Sequence, residues 1–152
     1  MKKIIVVLIV ALVVLSSASA FKFKSVGIDV GSGYYATVDM EIIDNLDIYA
    51  GIGYAGSFAI TSGIQFNVAT FKLGETPVAV RPGAQMNIYI GSGKPVYSII
   101  GTCAFSFETK SLTAFLRPGL GVALTTYRDP SDKLVISTDF AFTIDAGVAY
   151  LF

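Results

Sequence analysis

The chain has 152 residues, 53% of them hydrophobic and 14% charged, with 11 basic residues against 11 acidic ones. No basic surplus points to nucleic acid, and the lack of any histidine removes Ser-His and Cys-His nucleophilic schemes and histidine-ligated metal sites. The single cysteine, Cys103, excludes an intramolecular disulfide and reads as a small apolar residue.

Met1-Lys2-Lys3 is a short positive stretch, Ile4 to Leu15 is uninterruptedly apolar, and Ser16 to Ala20 supplies small residues with Ala18 and Ala20 at the expected cleavage motif. This pattern predicts a Sec export signal over residues 1–20, cut before Phe21. The apolar run is shorter than the roughly 20 residues that a spanning helix needs. The expected mature chain, residues 21–152, is enough for one domain. Without Lys2 and Lys3 it carries 9 basic against 11 acidic residues. It has no further apolar run long enough for a membrane helix.

Instead it divides into eight alternating segments separated by turn signals. The first, about 24–30, sets Val26, Ile28 and Val30 against Gly27 and Asp29, and Gly31-Ser32-Gly33 ends it. The second, about 35–42, opposes Ala36, Val38, Met40 and Ile42 to Thr37, Asp39 and Glu41, before a tight turn at Asp44-Asn45. The third, 46–54, opposes Ile48, Ala50, Ile52 and Tyr54 to Tyr49, Gly51 and Gly53. The fourth runs to about Phe71, with Ile64, Phe66 and Val68 against Gly63, Gln65 and Asn67, and ends at Gly74-Glu75-Thr76-Pro77. In the fifth, Val78, Val80, Ala84, Met86 and Ile88 face away from Arg81, Gly83, Gln85, Asn87 and Tyr89. After Gly91 to Pro95, the sixth covers 96–107 and turns at Glu108-Thr109-Lys110. The seventh starts at Leu112, with Leu116, Leu120, Val122 and Leu124 against Phe115, Arg117, Gly119 and Gly121. The eighth is the cleanest. Phe140, Phe142, Ile144, Ala146, Val148, Tyr150 and Phe152 share one phase, and Asp139, Thr143, Asp145 and Gly147 share the other.

Period-two alternation places such sets on opposite faces of a strand. The strand-interior charges among these (Asp29, Asp39, Glu41, Arg81, Arg117, Asp139, Asp145) all avoid the apolar phase, and the glycines share their face. A narrow, crowded lumen requires that combination. The expectation is an all-β, eight-stranded antiparallel up-and-down barrel with its apolar phase outward. A soluble periplasmic sandwich with the apolar phase inside is the rival arrangement.

Three features resemble chemistry. Gly51-Ile52-Gly53-Tyr54-Ala55-Gly56 matches a dinucleotide fingerprint in letters, but it lies within a strand and no helix follows. Lumen carboxylates beside two arginines fit a structural charge network better than a catalytic pair. Tyr34, Tyr35, Tyr54 and Tyr127 at one end, with Tyr150 at the other, read as an interfacial girdle. A weak repeat aligns Tyr49-Ala50-Gly51, Arg81-Pro82-Gly83 and Arg117-Pro118-Gly119. A proline breaks the ladder of a central strand, so a bulge or kink is expected at each Arg-Pro-Gly.

The export signal, the strand count, the Asn45-Leu46-x-Ile48-Tyr49-Ala50-Gly51 stretch and the Tyr150-x-Phe152 ending together resemble the small outer-membrane barrels of the OmpA transmembrane-domain and OmpX type. The resemblance spans residues 21–152. It implies an outer-membrane location, lipid and the barrel-assembly machinery as partners, and Phe152 with Tyr150 as an assembly signal. No catalytic residues, cofactor or metal are expected. The expected role is structural or membrane-stabilising, with a small passive pore or a surface-binding barrel as alternatives. Buried arginines need partners, so Glu41 and one or more of Asp29, Asp39 and Asp145 are expected to pair with Arg81 and Arg117 and plug the lumen.

Overall fold

An alternating sheet has two edges and two unlike faces to satisfy, and closing the sheet on itself removes the edges. The computed structural model describes residues 22–91, 95–129 and 131–152, and there the sheet is closed. Its strands are β1 (Lys22–Val30), β2 (Tyr34–Ile43), β3 (Leu46–Tyr54), β4 (Phe58–Phe66), β5 (Ala69–Leu73), β6 (Thr76–Ile90), β7 (Val96–Glu108), β8 (Leu112–Arg128) and β9 (Leu134–Leu151). β4 and β5 are two halves of one interrupted strand, both paired to β6. Every pairing is antiparallel, and β1 meets β9 from Ser25↔Leu151 to Val30↔Ala146. The result is an eight-stranded up-and-down barrel.

The apolar phase faces outward. Ile28, Ile52, Leu120, Phe142 and Val148 are each more than half exposed, whereas Asp29, Asn87, Arg117, Thr143 and Asp145 are buried. The sandwich arrangement is therefore excluded. Tyr34 and Tyr54 point outward as a cross-strand pair. Tyr35 does not belong with them. It is 3% exposed and faces the lumen, because adjacent residues of a strand point to opposite faces.

Following partners around the ring gives Ile28, Ala36, Ile52, Ile60, Ile88, Tyr97, Leu124 and Thr138. Thr138 lies eight residues before Ala146, the partner of Val30, so the ring closes ten residues out of step with Ile28. With ordinary strand rise and spacing, this offset tilts the strands by about 40°. Lys22, Phe152 and the turns after β2, β5 and β7 lie at one end. At the other end, strand length grows from 9 residues in β1 to 18 in β9, so the rim climbs around the ring. Residues Leu134 to Asp145 of β9 pair with β8 alone.

The prolines differ from expectation. Pro82 pairs with Cys103 and Pro118 with Ile144 without any register shift in those ladders. The irregularity falls on the neighbour each imide nitrogen faces. The β4–β5 break at residues 67–68 lies beside Pro82, and the β7–β8 ladder lapses between Thr102↔Gly119 and Phe105↔Leu116 beside Pro118. A missing donor is tolerated where no acceptor is presented. True register shifts occur in β1 between Phe23 and Ser25 and in β2 between Glu41 and Ile43.

Glycine on the inner face makes room for aromatic rings. A Cβ on Gly63 would run into the ring and hydroxyl of Tyr49, while one on outward-facing Gly101 would meet only the Leu120 carbonyl at ordinary contact distance. Gly63→Ala is expected to destabilise the barrel by about 1–3 kcal/mol, the usual cost of overpacking, and Gly101→Ala to fall within about 0.5 kcal/mol of the parent. Denaturant unfolding of the two variants checks this.

Candidate functional site

The inward phase assembles two tiers of charge. The central tier is built on Arg117 of β8, which is 3% exposed. Its guanidinium donates to Asp29 of β1 and lies 3.8 Å from Asp145, its direct cross-strand partner on β9. The same guanidinium stacks 4.4 Å from the ring centroid of Tyr49 on β3 and 5.0 Å from that of Phe115. Tyr49 in turn donates its hydroxyl to Gln85 Oε1 at 2.9 Å, and Gln85 Nε2 donates to Asp145 Oδ2 at 3.2 Å. Arg117, Tyr49, Gln85 and Asp145 thus form a closed loop of contacts across the lumen.

Asp145 holds further groups. Its Oδ1 accepts from the Thr143 hydroxyl and from the Ser32 backbone N–H, both at 2.9 Å, which ties the β1–β2 turn to β9. Above it Gln85 donates to Asn87, and Asn87 to Ser98. The bonds to the Asp145 carboxylate are charge-assisted and so the stronger ones, while those from Gln85 to Asn87 and from Asn87 to Ser98 join neutral groups.

The second tier lies nearer the rim that holds Lys22 and Phe152. Arg81 on β6 donates to Asp47 on β3 at 3.1 Å and to Glu108 at the end of β7. Lys24 joins the same Asp47 carboxylate at 2.7 Å. Lys24 reaches it because the β1 irregularity leaves Phe23 outward and turns Lys24 toward the lumen, the re-aiming that a bulge performs. Between the tiers lies a cavity of about 30 Å³, lined by Asp29, Asp39, Asp47, Tyr49, Arg81 and Arg117 among others. This is the size of one or two water molecules.

Of the residues singled out from the sequence, Asp29, Asp145 and Arg117 come together, and Arg81 is paired, but with other carboxylates than expected. Glu41 does not reach an arginine. It sits at the rim beside the β2 register shift and faces Lys22, its cross-strand neighbour, at 3.9 Å. Asp39 takes the hydroxyl of Ser25, directly opposite it on β1, rather than an arginine. Asp139 is exposed on the part of β9 that rises above β1. Sequence reading misses Asp47, Lys24 and Glu108. Asp47 is in phase with Tyr49 and Gly51, so parity could have found it, whereas nothing in the local sequence marks the turn of Lys24. Ala18 and Ala20 lie outside the described residues. Phe152 ends the chain with its N–H on the Lys24 carbonyl, and its ring meets Tyr150 edge-on at 5.8 Å. Among the described residues, no three His, Cys, Asp or Glu side chains gather as a metal site. The glycines from Gly51 to Gly56 lie in β3 and the turn after it.

Asp29, Asp145 and Arg117 are all buried to within a few per cent, so removing Arg117 strands two carboxylates, whereas removing Asp29 leaves Arg117 with Asp145. Arg117→Ala is expected to cost about 3–5 kcal/mol, and Asp29→Asn less than that. Glu108→Gln should cost under about 1 kcal/mol, since that side chain is 34% exposed and Arg81 keeps Asp47. Urea unfolding of the refolded variants reads the difference. Compared with known families, curated proteins and solved structures, the chain matches none of them.

Proposed function

We propose that the chain is an integral outer-membrane β-barrel with a structural or membrane-stabilising role and no catalytic activity. The observation that carries this reading is the outward face. Around the closed ring it is built mainly from Val, Ile, Leu, Met, Phe, Tyr and small residues, and among the described residues the one strand charge in its phase is Arg128, at the far tip of β8. Phe23, Phe66, Phe71, Tyr150 and Phe152 are exposed toward the end that holds Lys22 and Phe152, and Tyr34, Tyr54, Phe58 and Phe140 toward the other. Exposed in water, such a surface would far exceed the few hundred Å² of apolar patch that soluble monomers carry. In a bilayer it is the expected lipid-facing band with aromatic girdles.

In this reading residues 1–20 are the export signal, outer-membrane lipid surrounds the barrel, and the barrel-assembly machinery recognises Tyr150 and Phe152. The resemblance to the OmpA and OmpX type supports it as an expectation of pattern. The protein should partition with membranes, leave them only in detergent, and migrate differently on gels before and after boiling. Deleting Phe152 should lower the inserted fraction sharply. Recovery of folded protein in the soluble periplasmic fraction would overturn the proposal.

A passive pore is the second reading, and the filled lumen weighs against it. Eight strands leave an interior that side chains fill, and here the Arg117 tier crosses it from β3 to β8. If that tier is the plug, the double variant Arg81→Ala, Arg117→Ala should raise single-channel conductance in planar bilayers over a nearly closed parent. A parent that already conducts like a wide porin would refute the plug.

A further inference from the structure

The climbing rim leaves one strand edge open. From Ala146 to Leu151 β9 is flanked by both β8 and β1, but from Leu134 to Asp145 β8 is its only neighbour. The N–H of Leu151 goes to Ser111 and that of Phe152 to Lys24 of β1, so even-numbered residues of β9 direct their backbone groups away from β8. The β8–β9 register runs from Leu112↔Tyr150 to Arg128↔Leu134 without a shift, so this parity holds to the tip. Leu134, Ile136, Thr138, Phe140 and Phe142 therefore present N–H and C=O groups that no described residue pairs, along one continuous edge.

Natural edges of this length are blunted by lysine, proline, a bulge or a covering segment. Between Leu134 and Phe142 there is no lysine or proline, no bulge breaks the strand, and the single charge that could keep a wrong strand away is Asp139. The same segment exposes Leu134, Ile136, Phe140 and Phe142 on its outward side by 60% or more. On its inward side it carries Asp139, exposed, opposite uncharged Ala123, and in no ion pair among the described residues.

We propose that this edge accepts an extended segment of a partner polypeptide as an added antiparallel strand. Backbone bonds to the even-numbered residues would supply binding, as in strand addition generally. The outward residues select alternating apolar side chains. Asp139 selects a Lys or Arg on the other face, since opposite charges directly across a ladder attract. The edge exists in the closed barrel whether or not the outer face meets lipid, so this proposal stands apart from the membrane reading.

The test uses the full chain refolded in detergent and a labelled nine-residue peptide that alternates threonine and valine around a central lysine. Saturable binding is expected. Asp139→Lys, a change at an exposed position, should weaken it at least tenfold and should restore binding to a peptide with glutamate at the centre. Thr138→Pro removes a donor on the open edge without touching the β8 ladder, and should weaken binding with the folded gel mobility unchanged. A peptide N-methylated at the alternate residues that face β9 should not bind. Equal binding by the N-methylated peptide, or indifference to Asp139→Lys, would overturn the proposal. So would self-association of the chain that Thr138→Pro abolishes while the peptide does not bind, which would give the edge to a second copy.

Discussion

Everything in this molecule depends on the pairing of β1 with β9. An antiparallel sheet with one wholly apolar face and one polar, glycine-rich face cannot satisfy both its edges and its faces while open. Once Ser25 to Val30 meet Ala146 to Leu151, the two faces become an inside and an outside, and the choice is set by size. An eight-stranded ring encloses only enough room for side chains. The inner phase must therefore mix large groups with glycine, as where Tyr49 lies over Gly63, and cannot hold a bulky residue at every position.

The same narrowness governs the charges. In so confined a lumen a guanidinium has little access to water, and its partners must come from whatever strands face it. Arg117 draws on β1, β3 and β9, and Arg81 on β3 and β7. These contacts link strands distant in sequence and add a constraint that the ladders lack. Slipping one strand by a residue would turn Asp29 or Asp145 to the outer face and leave Arg117 without its carboxylates. The pairs fix register, whatever they contribute to net stability.

Most of the fold was legible because strand parity is a strong local signal. Asp145, Thr143 and Gly147 read inward, and Phe142 and Val148 outward, from the sequence of β9 alone. The site was legible only where parity sufficed. Arg117, Asp29 and Asp145 are each flanked by clean alternation, and they meet. Lys24 is not, because the chain gains one residue between Phe23 and Ser25 and no turn residue marks the place. Glu41 and Asp47 lie opposite each other near one rim. Which of them an arginine on β6 takes depends on the tilt and offset of the whole ring, properties held by no single segment. Tyr35 shows a different limit. Its position beside a turn suggests a surface aromatic, but parity with Thr37 and Asp39 decides its direction.

The offset of ten residues at closure has a kinetic side. The strands that seal the ring are separated by more than a hundred residues of chain, so the sealing contact has the highest sequence separation in the fold and carries a large loop-closure cost. Until β9 has been synthesised, β1 keeps an open apolar edge while every hairpin between them can form locally. Such an intermediate is sticky by the same physics that later holds the barrel shut. Loop-closure entropy therefore favours a route from hairpins to ring, with the seam as its costliest step.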